Sequence, residues 1–348
     1  MIKEGKANVI IDGQWGSTGK GKLAGWLYNN YKIDVAICDF MPNAGHTYVD
    51  NYNIPHILTQ LPIGALFSNT KKVLIGPHAV INKNILMREI ENIPDIEHKL
   101  VIHPLASIVS WKDRREEEIG QKRIASTMKG SMAATIKKMK RGEVKFKDAN
   151  ECMRLCPFIG DTYEEAQKSL DRNETILIET SQGFDLGLNQ GQYPYVTSRD
   201  CLAGRALDNA GISPRQLGSI IASLRTYPIR VGNVDNNSSG PCYSDQKEIS
   251  WEEISREIGE EVKEYTTITK RVRRVFTFSF LQLERFLRIV RPHFAFINFC
   301  NYLTKEKGIN FLRRVEEVMK KYECELKLFG TSAANYDMIV NNDNLLKG

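Results

Sequence analysis

The sequence predicts an α/β protein, a single large domain over residues 1–348 with a mostly parallel central sheet flanked by helices. Three observations predict it. Short β-branched apolar runs alternate with amphipathic helical stretches along the chain. One of those runs, Val9-Ile10-Ile11, enters a glycine-rich loop that carries lysine and opens a helix. The 348 residues can bury a sizeable core, and no repeat, low-complexity tract or Pro/Gly-rich linker divides them.

In chain order, ANVIID reads as a strand and GKLAGWLYNNY as the helix after the loop. DVAICDF is a strand running into MPNAGHT. YVDNYNIPHILTQL holds two short runs in a hairpin-like register around Asn51. KKVLIGPHAVI contains a strand. NKNILMREIENI is a helix that ends before Pro94, because proline disfavours helical geometry in the residue before it. KLVIHPLASIV is a strand and loop. Glu116 to Lys140 is polar and helix-capable, with a flexible middle. TYEEAQKSLDRN is a helix, and ETILIET a strand entering SQGFD. PRQLGSIIASLRTYPIRV is expected to hold a helix followed by a strand. WEEISREIGE is a helix, with Ser250 placed to cap its first N–H groups. FSFLQLERFLRIVR is an amphipathic helix, HFAFINF a strand, FLRRVEEVMKKY a helix and ECELKLFG the last strand.

Composition narrows the class. Hydrophobic residues make up 42% and charged residues 26%, the balance of a soluble globular chain. No apolar run approaches the roughly 20 residues that cross a bilayer. The N-terminus lacks the apolar core of a signal peptide. A cytoplasmic protein without a membrane partner is expected. Seven cysteines, an odd number without paired CxxC spacing, read as reduced thiols and not as a zinc site. The net charge of +6 is concentrated in Lys129–Lys147 and Lys270–Arg274. No array of aromatics accompanies it, so small phosphate and carboxylate ligands are expected there, and not nucleic acid.

The string VIIDGQWGSTGKGK, Val9 to Lys22, is the most informative stretch. Glycines let backbone N–H groups approach phosphate oxygens, the following helix N-terminus favours anions, and lysine adds a full charge. The loop is not a regular Walker A. Gln14 stands five residues before Gly19-Lys20, where that motif has glycine, and Gly21 replaces the Ser/Thr after Lys20.

QWGSTGKGK resembles the QWGDEGKGK loop of the adenylosuccinate synthetases, and further pieces follow in that family's order. NAGHT at Asn43–Thr47 matches it. IASTMKG (Ile124–Gly130) resembles IGTTGRG, and SQGFDLGLNQGQYPYVTS (Ser181–Ser198) resembles AQGxxLDxxxGTYPYVTS. SLRTYPIRVGN resembles AYxTRVGxG, and TKRVRRV (Thr269–Val275) resembles TGRRRRTG. FGTSAANYDMI, from Phe329, resembles the closing STGPxRxxxI. The likeness spans nearly the whole chain. It implies the family's P-loop-related fold and a two-step ligation. The γ-phosphate of a nucleotide is transferred to O6 of a 6-oxopurine, and the aspartate amine then displaces phosphate at C6.

Two departures shift the expected substrates. Ser17 and Thr18 replace the family's catalytic Asp-Glu pair, and Ser17 resembles the phage-type branch that uses dGMP instead of IMP. Guanine carries an amine next to N1; a serine is smaller than an aspartate, uncharged, and able both to donate and to accept. Its own pKa makes it a poor general base. At the donor base the family reads guanine with an aspartate that falls at Asn301 here. An amide pairs with an adenine edge, so ATP or dATP is expected as donor.

The resemblance assigns roles by position. Ser17, Lys20 and His46 form the catalytic set, with Mg²⁺ near Ser17 and the Gly45 carbonyl. The donor nucleotide falls to Gly16, Thr18, Gly19, Gly21, Lys22, Thr47, Asn301, Thr331 and Ser332. The substrate dGMP falls to Ser17, Asn43, Thr127, Gln182, Thr197 and Val231. Arg141 corresponds to an arginine that reaches across a homodimer to the neighbouring subunit's substrate phosphate. Aspartate falls to Thr267, Thr269, Arg271 and Arg273, whose guanidinium forks match its two carboxylates. The family's second arginine in that run is Val272 here. Two other readings stay open from sequence: an ordinary synthetase using IMP and GTP, and a non-catalytic nucleotide-binding regulator.

Overall fold

Nine strands form one sheet whose members span the chain from residue 7 to residue 340. The structure is a computed structural model. It describes residues 1–120, 126–141, 152–234, 237–266, 270–332 and 337–341. The first half contains β1 (Ala7–Asp12), α1 (Lys20–Asn30), β2 (Val35–Cys38), β3 (His46–Val49), β4 (Pro55–Leu58), β5 (Lys72–Ile75), β6 (Val80–Ile81), α2 (Lys83–Asn92), β7 (Leu100–Ile102), β8 (Ser107–Ile108), α3 (Trp111–Gly120), α4 (Ser131–Met139) and α5 (Thr162–Asp171). The second half contains β9 (Ile176–Glu179), α6 (Ala203–Ala210), β10 (Leu217–Arg225), β11 (Ile229–Arg230), β12 (Glu248–Ile249), α7 (Trp251–Ile258), β13 (Arg274–Phe276), α8 (Phe280–Val290), β14 (Phe294–Asn298), α9 (Lys305–Lys320), β15 (Glu325–Gly330) and β16 (Met338–Val340).

The sheet order is β16-β15-β14-β10-β1-β9-β2-β5-β7, parallel throughout except for the β15–β16 edge pair. Strand β1 lies at its centre and is buried along its whole length. Its residues alternate between two cores: Ile10 packs with Leu23 and Leu27 of α1 on one face, and Val9 and Ile11 with Phe286 and Leu287 of α8 on the other. A strand covered on both faces must be apolar at every position, which is why Val9-Ile10-Ile11 reads as a continuous run.

The helix expected in the first part of PRQLGSIIASLRTYPIRV is instead largely β10, paired in parallel with β1 and β14. A short apolar run buried on both faces has the composition of either element, and pairing between two central strands decided it. Only a 3-10 turn at Pro214–Gln216 is helical there. Helix α6 and edge strand β16 were not anticipated. Ser250 does cap α7, its Oγ accepting from the Glu253 N–H. Among the described residues no helix is long and apolar enough to cross a membrane.

This topology places chemistry at one rim. The loops 13–19, 39–45, 180–182, 226–228, 299–301 and 331–332 all leave the carboxyl ends of parallel strands. That rim is where open parallel sheets hold ligands.

Candidate active site

The loop after β1 is organised by its own last strand residue. Asp12 is fully buried, and its carboxylate accepts from the Gln14 N–H (2.9 Å), the Gly16 N–H (3.2 Å), the Thr18 hydroxyl (2.6 Å) and the Lys20 ammonium (3.0 Å). Ser17 rises from the loop with φ +56° and an exposed side chain. That left-handed geometry is costly for a residue with a Cβ. Gly16 and Gly19 have φ +87° and +93°, where glycine carries no such penalty. Gly21 is required for a different reason. A Cβ there would lie 2.4 Å from the Thr47 carbonyl oxygen, so a side chain would push α1 off β3. Thr18 is buried, and its hydroxyl is committed to Asp12.

Lys20 links this loop to the next strand end. Its ammonium also donates to the Gln182 carbonyl (2.6 Å), and the Gln182 side-chain amide donates to Asn43 (3.0 Å). His46 follows Asn43, Ala44 and Gly45 at the start of β3, stacked flat on Phe40 with ring centroids 4.0 Å apart. It is buried, and its Nε2 has no hydrogen-bond partner among the described residues. Burial, reinforced by the nearby Lys20 charge, lowers its pKa to about 3. The ring is therefore neutral near pH 7, able to donate from one nitrogen without a full charge.

A cavity of about 400 Å³ opens beside this chain of contacts. Asn43, Thr127, Gln182, Thr197 and Val231 all line it, so five of the seven positions assigned to the nucleoside monophosphate meet in one space, and Ser17 and Arg141 are not in its wall. Leu186, also in its wall, lies against Gly16 and joins the cavity to the loop. Arg141 lies elsewhere. It is exposed just beyond α4 and does not line the cavity. The wall also includes Glu117, whose carboxylate accepts from the Gly130 (2.7 Å) and Met132 (2.6 Å) N–H groups and fixes the start of α4.

The arginine run closes on Ser17. Arg273 donates to the Ser17 hydroxyl, and the fully buried Arg225 donates to the Ser17 carbonyl (2.9 Å). Glu264 pairs with Arg225 and accepts from the Tyr302 hydroxyl (3.2 Å). Its carboxylate also lies 3.8 Å from Arg273. Burial lowers the Arg273 pKa to about 10, against the pull of Glu264, and leaves it cationic at neutral pH. Arg271 is partly exposed two residues earlier. Thr267 and Thr269 lie outside the described residues.

A further group gathers around Lys22 in the first turn of α1. The Lys22 ammonium donates to the Ser332 carbonyl (2.6 Å), and Thr331 bonds Asp337. Burial lowers the Lys22 pKa to about 8, with Asp337 opposing. Asn298, at the end of β14, fits between Gly19 and Gly330: a Cβ on either would strike its amide. Asn301 follows on an exposed turn, after Phe299 at φ +62°, whose ring stacks under Arg225 at 4.0 Å.

Sequence reasoning missed Asp12, Arg225, Glu264 and Asn298. It also missed Asp39, whose carboxylate binds Arg199 (2.7 Å) and Arg205. Burial disfavours the Asp39 charge, but the two arginines outweigh it and hold its carboxyl below the ordinary range. This pair ties the segment after Thr197 to the end of β2. An aspartate at the end of a strand entering a glycine loop was visible as a signal for Asp12; the others are partners that only folding identifies.

A nine-stranded, mostly parallel sheet with a lysine-bearing glycine loop, a buried histidine and paired arginines at one rim defines a nucleotide-dependent enzyme. The chain belongs to the adenylosuccinate synthetase family, whose sequence model matches residues 9–154 and 148–312. It is 37% identical to the N6-succino-2-amino-2'-deoxyadenylate synthase of Vibrio phage phiVC8, over 97% of this chain and 98% of that one. It is 36% identical to the synthase of the same name from Salmonella phage PMBT28, over 91% of each. Among solved structures, it is similar to the succinoaminodeoxyadenylate synthetase of cyanophage S-2L bound to dGMP and dATP as an energy donor. The TM-score is 0.88 at 30% identity, covering 99% of this chain and 98% of that one.

Proposed function

We propose that this chain is a ligase that joins dGMP to L-aspartate at the expense of ATP or dATP. The step passes through a 6-phosphoryl purine and yields N6-succinyl-2-amino-2'-deoxyadenylate, a precursor of 2-aminoadenine DNA. The observation that carries the reading is Ser17. An uncharged hydroxyl stands in a family phosphate loop, next to Gly16, which lies against the cavity-wall residue Leu186, in a chain similar to phage enzymes of that name.

The residues divide the work as follows. The N–H groups of Gly16 to Lys22 and the Lys20 ammonium hold the donor phosphates, and Thr47 lines their path. The Gln182 and Asn43 amides, with Thr127, Thr197 and the backbone at Val231, hold dGMP. His46 donates a hydrogen bond to the charge that develops on the transferred phosphoryl group or O6, which is positioning and electrostatics more than covalent chemistry. Ser17 leaves room for the 2-amino group. Arg271 and Arg273, with Thr267 and Thr269, take the two carboxylates of aspartate. Asn301, with Thr331 and Ser332, meets the adenine of the donor.

Mg²⁺ would be held by the Gly45 carbonyl and the Ser17 hydroxyl, which also accepts from Arg273. Magnesium is commonly held by one or two protein oxygens together with substrate phosphates. Among the described residues no three His, Cys, Asp or Glu side chains cluster. When bound, the ion neutralises charge on the phosphates. Residues 1–348 act as one domain and work as a homodimer. Trp111, Ile119 and Met139 are exposed apolar side chains on α3 and α4, and Arg141, exposed just beyond α4, is the residue proposed to reach the neighbouring subunit's substrate. The host cytoplasm is the proposed compartment.

Phosphate release with ATP or dATP, Mg²⁺ and aspartate, comparing dGMP with IMP, tests the reading. Turnover with dGMP alone is expected; turnover with IMP alone would place the chain among the ordinary synthetases. Two variants sharpen it. Ser17→Asp puts a charged, larger group against the 2-amino edge. The ratio of dGMP to IMP kcat/KM is expected to fall by about 10-fold or more, as for other small-group exclusions. An unchanged ratio refutes the steric account. Asn301→Asp exchanges an adenine-compatible amide for a guanine-compatible carboxylate. The GTP-to-ATP preference is expected to rise by about 10-fold, the scale of one or two base-edge hydrogen bonds. No shift refutes the base-reading role.

A further inference from the structure

The loop holds a carboxylate that none of these steps uses. Asp12 has no solvent exposure, yet it is ringed by four donors. Two of them, the Gly16 N–H and the Lys20 ammonium, belong to the set that a phosphate loop offers to a phosphate. The other two, the Gln14 N–H and the Thr18 hydroxyl, come from the loop on either side of Ser17 in sequence. Gln14 is fixed in turn, its amide exchanging bonds with the Arg225 backbone at 3.2 and 2.9 Å. Lys20 reaches Gln182, which bonds Asn43 in the cavity wall. Asp12 is thus the one carboxylate joining the phosphate loop, the cationic lysine and the monophosphate cavity among the described residues.

A negative charge under a polyanion site is costly for binding. It weakens the attraction between Lys20 and any phosphate, so its presence is not explained by ground-state affinity. It is explained by preorganisation. Donors locked in place before reaction stabilise a transition state without having to reorganise, even when the substrate's ground state gains nothing.

We propose that Asp12 is a positioning residue for phosphoryl transfer, a buried counter-ion that sets Lys20 and the loop N–H groups in their reactive arrangement at the expense of donor affinity. This rests on the dGMP ligase reading for its kinetic arm only.

The test is Asp12→Asn, which keeps size and the acceptor facing the Gln14 and Gly16 N–H groups but removes the negative charge that faces the Lys20 ammonium. The kcat with dGMP is expected to fall roughly 10²-fold, the scale of losing one preorganised electrostatic contact. The Kd for dATP, and for inorganic tripolyphosphate by calorimetry, is expected to stay unchanged or tighten by up to about fivefold, as removal of a nearby like charge requires. Weaker binding of both polyanions in step with lost turnover would mean Asp12 is merely structural and would overturn the proposal. So would unchanged kcat and Kd. Should the wild type show no dGMP turnover, the substrate reading fails. Tripolyphosphate binding still decides about Asp12, tighter binding by the variant supporting it and equal or weaker binding refuting it. If Asp12→Asn does not fold, Thr18→Val removes one donor from the same carboxylate oxygen and leaves its charge. A kcat loss of about threefold to tenfold at unchanged dATP Kd is then expected, on the scale of one hydrogen bond to a charged group. Loss of dATP affinity in that variant, or no change at all, overturns the proposal.

Discussion

Replacing Arg273 with Leu is expected to raise the KM for aspartate by about 10²-fold, the loss seen when one partner of a buried, hydrogen-bonded charge pair is truncated. Arg273 is well placed for this. Its guanidinium reaches the Ser17 hydroxyl, and its Nε donates to the Tyr265 carbonyl at 3.0 Å, so its direction is fixed. The change also removes one of the two cations facing Glu264. Part of the loss should therefore appear in kcat through Ser17. The KM for dGMP should move far less, because the cavity that holds Asn43, Thr127 and Thr197 does not include Arg273. Arg273→Lys keeps the charge but not the planar fork, and should recover only part of the affinity. Initial-rate kinetics with each substrate varied in turn checks this; equal rises for aspartate and dGMP would refute an aspartate site here.

The second large effect belongs to His46. His46→Asn keeps a donor but shortens its reach and removes the stack on Phe40. Its kcat is expected to fall by about 10² to 10³-fold with little change in KM, the range for removing a donor aimed at developing charge. A change confined to KM would refute a transition-state role. The pH behaviour follows from its environment. The folded pKa is about 3, and the ordinary value is 6.5. Between those values the unfolded chain binds a proton that the folded one refuses. Stability from the neutral ring is complete above about pH 6.5 and is lost as pH falls toward 3. Glu179 works in the opposite direction: burial raises its pKa to about 7, so its contribution is present at low pH and declines as pH rises through that value. Comparing the wild type with His46→Asn isolates the histidine. Between pH 7 and pH 5 the wild type should lose more Tm than the variant, and equal losses would refute the buried neutral imidazole.

Much of the fold was legible because its central strands and helices differ in apolar periodicity. The loop after β1, NAGHT and the cavity segments could be read as well, since short strings of glycine, amide and hydroxyl residues carry their chemistry locally. What failed was β10. Gly218 to Leu224 is buried on both faces in the folded protein, so no periodicity distinguished strand from helix until β1 and β14 claimed it. Strand β16 is three residues long and exists only by antiparallel pairing with β15.

The sequence by itself determined the reaction class and the departures from it. Ser17 and Asn301 are facts of residue type, and the roles proposed for them toward a 2-amino group and an adenine edge were argued from donors and acceptors alone. Tertiary structure alone decided which charges meet. Glu264 is far in sequence from Arg225 and from Ser17, yet it balances the guanidinium groups that grip the loop. His46 is an ordinary loop histidine until Phe40 and the surrounding core remove its water. Asp12 became a counter-ion only when Lys20 folded back over it. Each of these depends on desolvation and on distances of about 3 Å between residues from different strands, and no local pattern encodes either.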